Sequence, residues 1–160
     1  MSLILEQLPM AEKFRRLAVT VTAEKGEFAL FGLFFREGAP NVWDLIVSAP
    51  WMDGNEWGGL RYFAKKLRYR LTSEELSSLS RIVVRETDDP GVCALRKALP
   101  VRGQIEYLTN FRLFGRSFRE AYIMVSQDPR KPLDGSGGPP KSRRPRATRK
   151  APPRTARGAR

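Results

Sequence analysis

Val42, Trp43, Leu45, Ile46 and Val47 form an apolar run short enough for a strand and rich in β-branched and aromatic side chains, the pattern of a strand covered on both faces. Leu60, Phe63, Ala64, Leu67 and Leu71 then recur at i, i+3, i+4, i+7 and i+11, which puts them on one face of a helix. A second apolar run, Ile82, Val83 and Val84, follows. Strand, crossover helix and parallel strand is the simplest unit with that order, since a parallel pair needs a long connection that returns over the sheet.

Upstream, Pro9 suits a first helical position, and Met10, Phe14 and Leu17 at i, i+4 and i+7 predict a short helix over residues 9–16. Leu3, Ile4, Leu5 and Leu8 precede it as an apolar arm. Residues 17–23 alternate Leu, Val and Val with Ala, Thr and Thr, the period-2 signature of a strand with one wetter face. Glu24, Lys25 and Gly26 would make a hairpin turn into residues 28–35, which are apolar on both parities like a central strand. Residues 38–41 turn the chain into Val42.

Downstream, Thr72 or Ser73 with Glu75 or Leu76 predicts a capped helical turn before a strand over residues 81–85. Asp89 before Pro90 combines a side-chain acceptor at the N-cap with a fixed φ at the first helical position. It starts a helix that carries Val92, Leu95 and Leu99 inward. Two strands, over residues 104–109 and 118–126, close the pattern. The expected fold is α/β (α+β): one mixed sheet of about six strands with helices packed on it, in the order α-β-β-β-α-β-α-β-β.

Charge sets the expected boundary. Residues 1–126 hold 18 Lys and Arg against 15 Asp and Glu, whereas residues 127–160 hold 11 against 2. That second segment also carries most of the prolines, the glycines of 135–138 and almost nothing apolar beyond alanine. It cannot bury enough to offset the entropy of ordering, so a compact domain over 1–126 and a disordered basic tail over 127–160 are expected.

The chain has no histidine and one cysteine, Cys93. An internal disulfide, a cysteine-based zinc site and a histidine general base are thereby excluded. The first residues lack a basic region followed by a long apolar stretch, and no window approaches the ~18 apolar residues of a membrane span, so a soluble, cytoplasmic protein without a cofactor is expected.

The predicted order of the first six elements resembles that of restriction-endonuclease-like nucleases, whose chemistry would rest on an Asp and a Glu-Xaa-Lys holding Mg²⁺. The chain contains no Glu-Xaa-Lys or Asp-Xaa-Lys triplet, and the strand that would carry it reads Val42-Trp43-Asp44-Leu45-Ile46-Val47-Ser48. The resemblance is one of element order alone, and no family is assigned from it.

Four groups of residues could carry function. The loops after the two parallel strands should meet and bring together Asp53, Glu56, Glu86, Asp88 and Asp89, either as a Mg²⁺ site or as helix caps. Trp51 and Trp57 flank a polar loop that could dock a partner protein or a base. Asp44, inside an apolar strand, needs a partner, and an arginine would serve. Basic residues make the fourth group. Arg61, Lys65 and Arg68 recur along the central helix with Tyr62 and Tyr69 interleaved, and Arg112 and Arg116 lie among Phe111, Phe114 and Phe118. In the tail Arg143, Arg144, Arg146, Arg149 and Lys150 belong to a stretch, 135–160, with nine basic residues and no acid, similar in composition to linker-histone-like tails.

The reading that follows is a non-enzymatic domain that associates non-specifically with nucleic acid, DNA or RNA, through its tail and the basic helix face. A protein-interaction module built on Trp51, Trp57 and the apolar arm is the first alternative, and a Mg²⁺-dependent hydrolase or nuclease on the carboxylates the second.

Overall fold

A computed structural model describes residues 3–39 and 41–129, with side chains described from residue 9 onward. Ten elements follow one another: α1 (Leu3–Lys25), β1 (Leu30–Arg36), β2 (Trp43–Ser48), a 3₁₀ turn (Pro50–Met52), α2 (Glu56–Arg70), α3 (Ser73–Ser78), β3 (Leu79–Val84), α4 (Pro90–Ala98), β4 (Val101–Leu113) and β5 (Arg116–Ser126). The strands form one mixed sheet in the order β3-β2-β1-β5-β4. Only β2 and β3 run parallel, and α2 with α3 is the crossover between them, as the apolar pattern predicted. All six residues of β2 are buried, and β1 at the centre is buried up to Phe35.

The first element corrects the sequence reading. Residues 17–23 are not a strand but the second half of α1, so the sheet has five strands and not six, and the α-β-β-β order that resembled the nucleases is absent. The stretch carries both periodicities. Its helical one is longer, because Met10, Ala11, Phe14, Leu17, Ala18 and Val21 continue at three- and four-residue steps, and all six are buried. Val19, which a strand would have turned inward with Leu17 and Val21, is instead 58% exposed. Pro9 lies inside this helix and not at its start, and the backbone of the expected arm is helical. Glu24, Lys25 and Gly26 end the helix instead of turning a hairpin. Gly26 takes a φ of +113° and donates its N–H to the Thr22 carbonyl at 2.9 Å, a helix stop that a side chain would strain.

The sheet is covered on both faces. α1 and α2 share one, where Phe28, Phe31, Phe63, Leu67, Trp43 and Tyr122 join the buried positions of α1. α4 covers the other, where Val92 and Leu95 meet Leu30, Phe34, Ile46, Ala121 and Ile123. The β4–β5 hairpin is longer than predicted. It closes at Phe114 and Gly115, both at positive φ (55° and 72°), the backbone of a two-residue hairpin turn. No described helix is long and apolar enough to cross a membrane. The tail residues Arg143, Arg144, Arg146, Arg149 and Lys150 lie outside the described residues.

Candidate nucleic-acid interface

The two loops after the parallel strands do meet, and hydrogen bonds within the fold engage most of their carboxylates. Asp53 accepts from the Thr87 amide at 2.8 Å and from the Thr87 hydroxyl, while Glu86 accepts from the Gly54 amide at 3.1 Å. Asp89 caps α4 through the amides of Gly91 (2.7 Å) and Val92 (3.4 Å) and pairs with Arg85. Asn55 caps α2, accepting from Gly58 at 3.3 Å, and Glu56 stands in the first turn where the helix dipole favours an acid. Among the described residues no three carboxylate or thiol side chains converge as metal ligands would. Asp44, 1% exposed, finds arginines: Arg36 Nε at 2.7 Å and Arg81 Nε at 3.4 Å.

The basic residues of α2 divide by face. Phe63 and Leu67 point into the core, and on that inner side Lys66 is tied down. Its ammonium lies 2.8 Å from Glu24, whose other oxygen accepts from the Tyr62 hydroxyl at 2.5 Å. The donation from Lys66, and after it that from Tyr62, holds the Glu24 carboxyl below its ordinary range. Burial first, and then the hydrogen bond to Glu24 with that carboxylate's charge, push the Tyr62 phenol up.

The outer side is different. Arg61, Lys65 and Arg68 are all exposed, and among the described residues no carboxylate pairs with any of them. At 100° per residue they occupy a band between Trp57 and Tyr69, which stand 68% and 81% exposed at its two ends and about 120° apart around the helix axis. Between Trp57 and Tyr69 the helix rises ~18 Å.

Beside the stripe lies an open concavity of about 560 Å³ lined by Lys25, Trp51, Asn55, Gly58, Arg61, Tyr62 and Lys65. Trp51 forms its wall, edge-on to Tyr62 with ring centroids 5.2 Å apart, and the Lys25 ammonium stands 5.3 Å from one ring and 5.2 Å from the other. Trp51 and Trp57 therefore do not make a shared platform: Trp51 packs onto the first turns of α2, whereas Trp57 projects from them. Lys25 was missed in the sequence, because a residue assigned to a hairpin turn could not be placed beside α2. The alignment of Trp57 with Arg61, Lys65 and Arg68 was readable at four- and three-residue steps once α2 was started at Glu56 and not at Leu60.

The second predicted patch is drawn into the fold. Arg112 donates to the Ser117 hydroxyl (3.0 Å) and the Gly115 carbonyl (3.3 Å), bracing the hairpin. Phe111, Phe114 and Phe118 surround Phe34 with centroids 5.2–6.4 Å away, so they finish the second core. Arg116 is exposed and borders a separate concavity with Arg36, Glu37 and Ser117. Comparison with family models, with curated proteins and with solved structures yields no match to this chain.

Proposed function

We propose that this protein associates with nucleic acid through the sugar–phosphate backbone, using the outer face of α2 together with the basic segment 127–160, and that it binds without catalysing a reaction. The observation that supports the reading is the row itself: Arg61, Lys65 and Arg68 stand exposed along one side of α2 without a carboxylate among the described residues, while the neighbouring Lys66 is paired with Glu24 at 2.8 Å. A row of exposed, uncompensated cations attracts a polyanion by releasing its counterions, and it does so without reading sequence.

The test compares the full chain with the R61Q/K65Q/R68Q variant and with a chain ending at Pro129, by anisotropy of labelled single- and double-stranded oligonucleotides across salt. A cut at that point spares Gln127, which is buried and donates to the Phe28 carbonyl at 2.9 Å. Both changes should weaken binding and flatten its salt dependence, and equal binding by all three proteins sinks the reading. The exposure of Trp57 favours a second reading, a docking site for a partner protein. A monomer by light scattering that co-purifies with no other protein counts against it.

A further inference from the structure

We infer that the α2 stripe takes single-stranded nucleic acid, with Trp57 and Tyr69 stacking on unpaired bases and Arg61, Lys65 and Arg68 holding the phosphates between them; the inference rests on the reading above and adds the strand state of the ligand.

The aromatic rings carry it. Among the described residues only three large apolar side chains are strongly exposed, Val19, Trp57 and Tyr69, and two of these belong to α2, where they border the band of Arg61, Lys65 and Arg68 about 120° apart around the axis. Trp57 and Tyr69 are positioned unlike the other aromatics of α2. Tyr62 and Phe63 meet Trp51 and each other at centroid distances of 5.2–6.2 Å, whereas neither Trp57 nor Tyr69 contacts another ring or a cation among the described residues.

The cations fill the interval between the two rings. Arg61 follows Trp57 by four residues, Lys65 follows Arg61 by four, and Arg68 follows Lys65 by three, so successive cations are spaced at ~6 Å and ~4.5 Å along the axis. Rings at both ends of a row of charges suit a single strand, since an unpaired base offers a π-face and its phosphate a charge. A duplex offers this surface only phosphates, because its bases are already stacked. The concavity beside Arg61 and Lys65 widens the cationic track with Lys25 and leaves room for a backbone to turn in against Trp51.

A lipid surface fits less well. An interfacial helix lays a broad apolar face into the membrane, and here that face, Phe63 and Leu67 with Leu60 beside them, is spent on the protein's own core.

Intrinsic fluorescence of the full chain separates this from binding by the basic segment, which has no tryptophan. Trp43 is 3% exposed and Trp51 is packed against Tyr62 and Phe63, so a base that stacks on the stripe is reported by Trp57. The probes are a thymidine strand of about 16 nucleotides, the upper end of a single-fold site, and a duplex with the same number of phosphates. The expected result is saturable quenching by the single strand and little by the duplex. Tyr69→Ala, which keeps the reporter, should lower affinity for the single strand roughly 5-fold or more and leave the duplex unchanged. Trp57 unquenched, with both probes bound equally and both weakened in R61Q/K65Q/R68Q, overturns the single-strand inference while the reading beneath it stands. Binding of both probes unaffected by the triple change overturns the two together. Stronger quenching by phosphatidylserine–phosphatidylcholine vesicles than by the single strand overturns the inference in favour of a lipid surface.

Discussion

Replacing Arg36 by Met tests how the one buried carboxylate of β2 is held. The Asp44 side chain is 2% exposed, and of its two oxygens only Oδ2 is engaged: Oδ1 has no hydrogen-bond partner. Arg36 Nε reaches Oδ2 at 2.7 Å and is 23% exposed, while Arg81 is longer, at 3.4 Å, and 42% exposed. Arg36→Met keeps the apolar stem and removes the short bond. A hydrogen bond to a charged group contributes about 1.5–3 kcal/mol, and stripping one partner from a buried ion pair costs about 3–5 kcal/mol. Because Arg81 remains, we expect about 2–4 kcal/mol, a large share of the roughly 5–15 kcal/mol that holds a domain folded. Asp44→Asn should cost less, about 1–2 kcal/mol, since the stranded Arg36 can turn to water and to Ser80, whose hydroxyl is 3.3 Å from its guanidinium. The double variant should then cost about 1–3 kcal/mol less than the sum of the two singles. Urea unfolding at neutral pH with a common slope reads all three values. Singles that each cost under about 0.5 kcal/mol and add without coupling would refute the reasoning, because such numbers belong to solvent-exposed pairs.

A Cβ on Gly91 would stand 2.5 Å from the Phe114 ring, so Gly91→Ala should destabilise by about 1–3 kcal/mol, and Phe114→Leu in the same chain should recover part of that loss in thermal melts. Thr72 caps α3 in a reciprocal box with Glu75, and Thr72→Ala should cost about 0.5–2 kcal/mol by denaturant titration. The Lys13 ammonium, 2.6 Å away, and then the Thr72 amide hold the Glu75 carboxyl below its ordinary 4.5. Its contribution is therefore present above that value and lost as pH falls through the lowered one, so Glu75→Gln should destabilise at pH ~7 and match the parent chain in strong acid. Burial, and then the neighbouring Tyr107 and Glu120, push the Tyr122 phenol from 10.0 up to about 12. The stability linked to its neutral form is intact below 10 and lost as pH rises to about 12, so Tyr122→Phe should lose less stability than the parent over that window, measured by urea midpoints.

The elements that were legible in the sequence are those whose pattern admitted one period. β2 reads as an apolar run broken only by Asp44 before it ends at Ser48, because both its faces are covered, and α4 is announced by Asp89 and Pro90, which the fold uses as cap and first residue. The capping box of α3 was visible as Thr72 and Glu75 at the right spacing. Residues 17–23 were misread because β-branched Val and Thr at alternate positions mimic a strand, and what decides the matter is the sheet face that Phe14, Leu17 and Val21 cover, which no local window contains. The loss of one strand followed from that single choice. For the site, the row Arg61, Lys65 and Arg68 was visible as helical spacing, and Asp44 could be seen to need an arginine. Which lysine of α2 is neutralised was not visible, since Lys66 meets Glu24 only after α1 is extended to Lys25. Nor could sequence tell that Trp51 packs while Trp57 projects, because both flank the same polar loop and only the start of α2 separates them. The aromatic hairpin was ambiguous for a similar reason: Phe111, Phe114 and Phe118 suit a stacking surface until Phe34 and Gly91 are found beneath them.

The salt dependence of single-strand binding tests the central claim most directly. Affinity of the full chain and of R61Q/K65Q/R68Q for one labelled thymidine strand, taken from about 50 to about 200 mM salt, gives two slopes of log K against log salt. Three lost phosphate contacts at ~0.7 each should make the variant's slope shallower by ~2, with the gap in affinity widest at low salt. Parallel lines of equal affinity would contradict the account, leaving the outer face of α2 as a solvated surface.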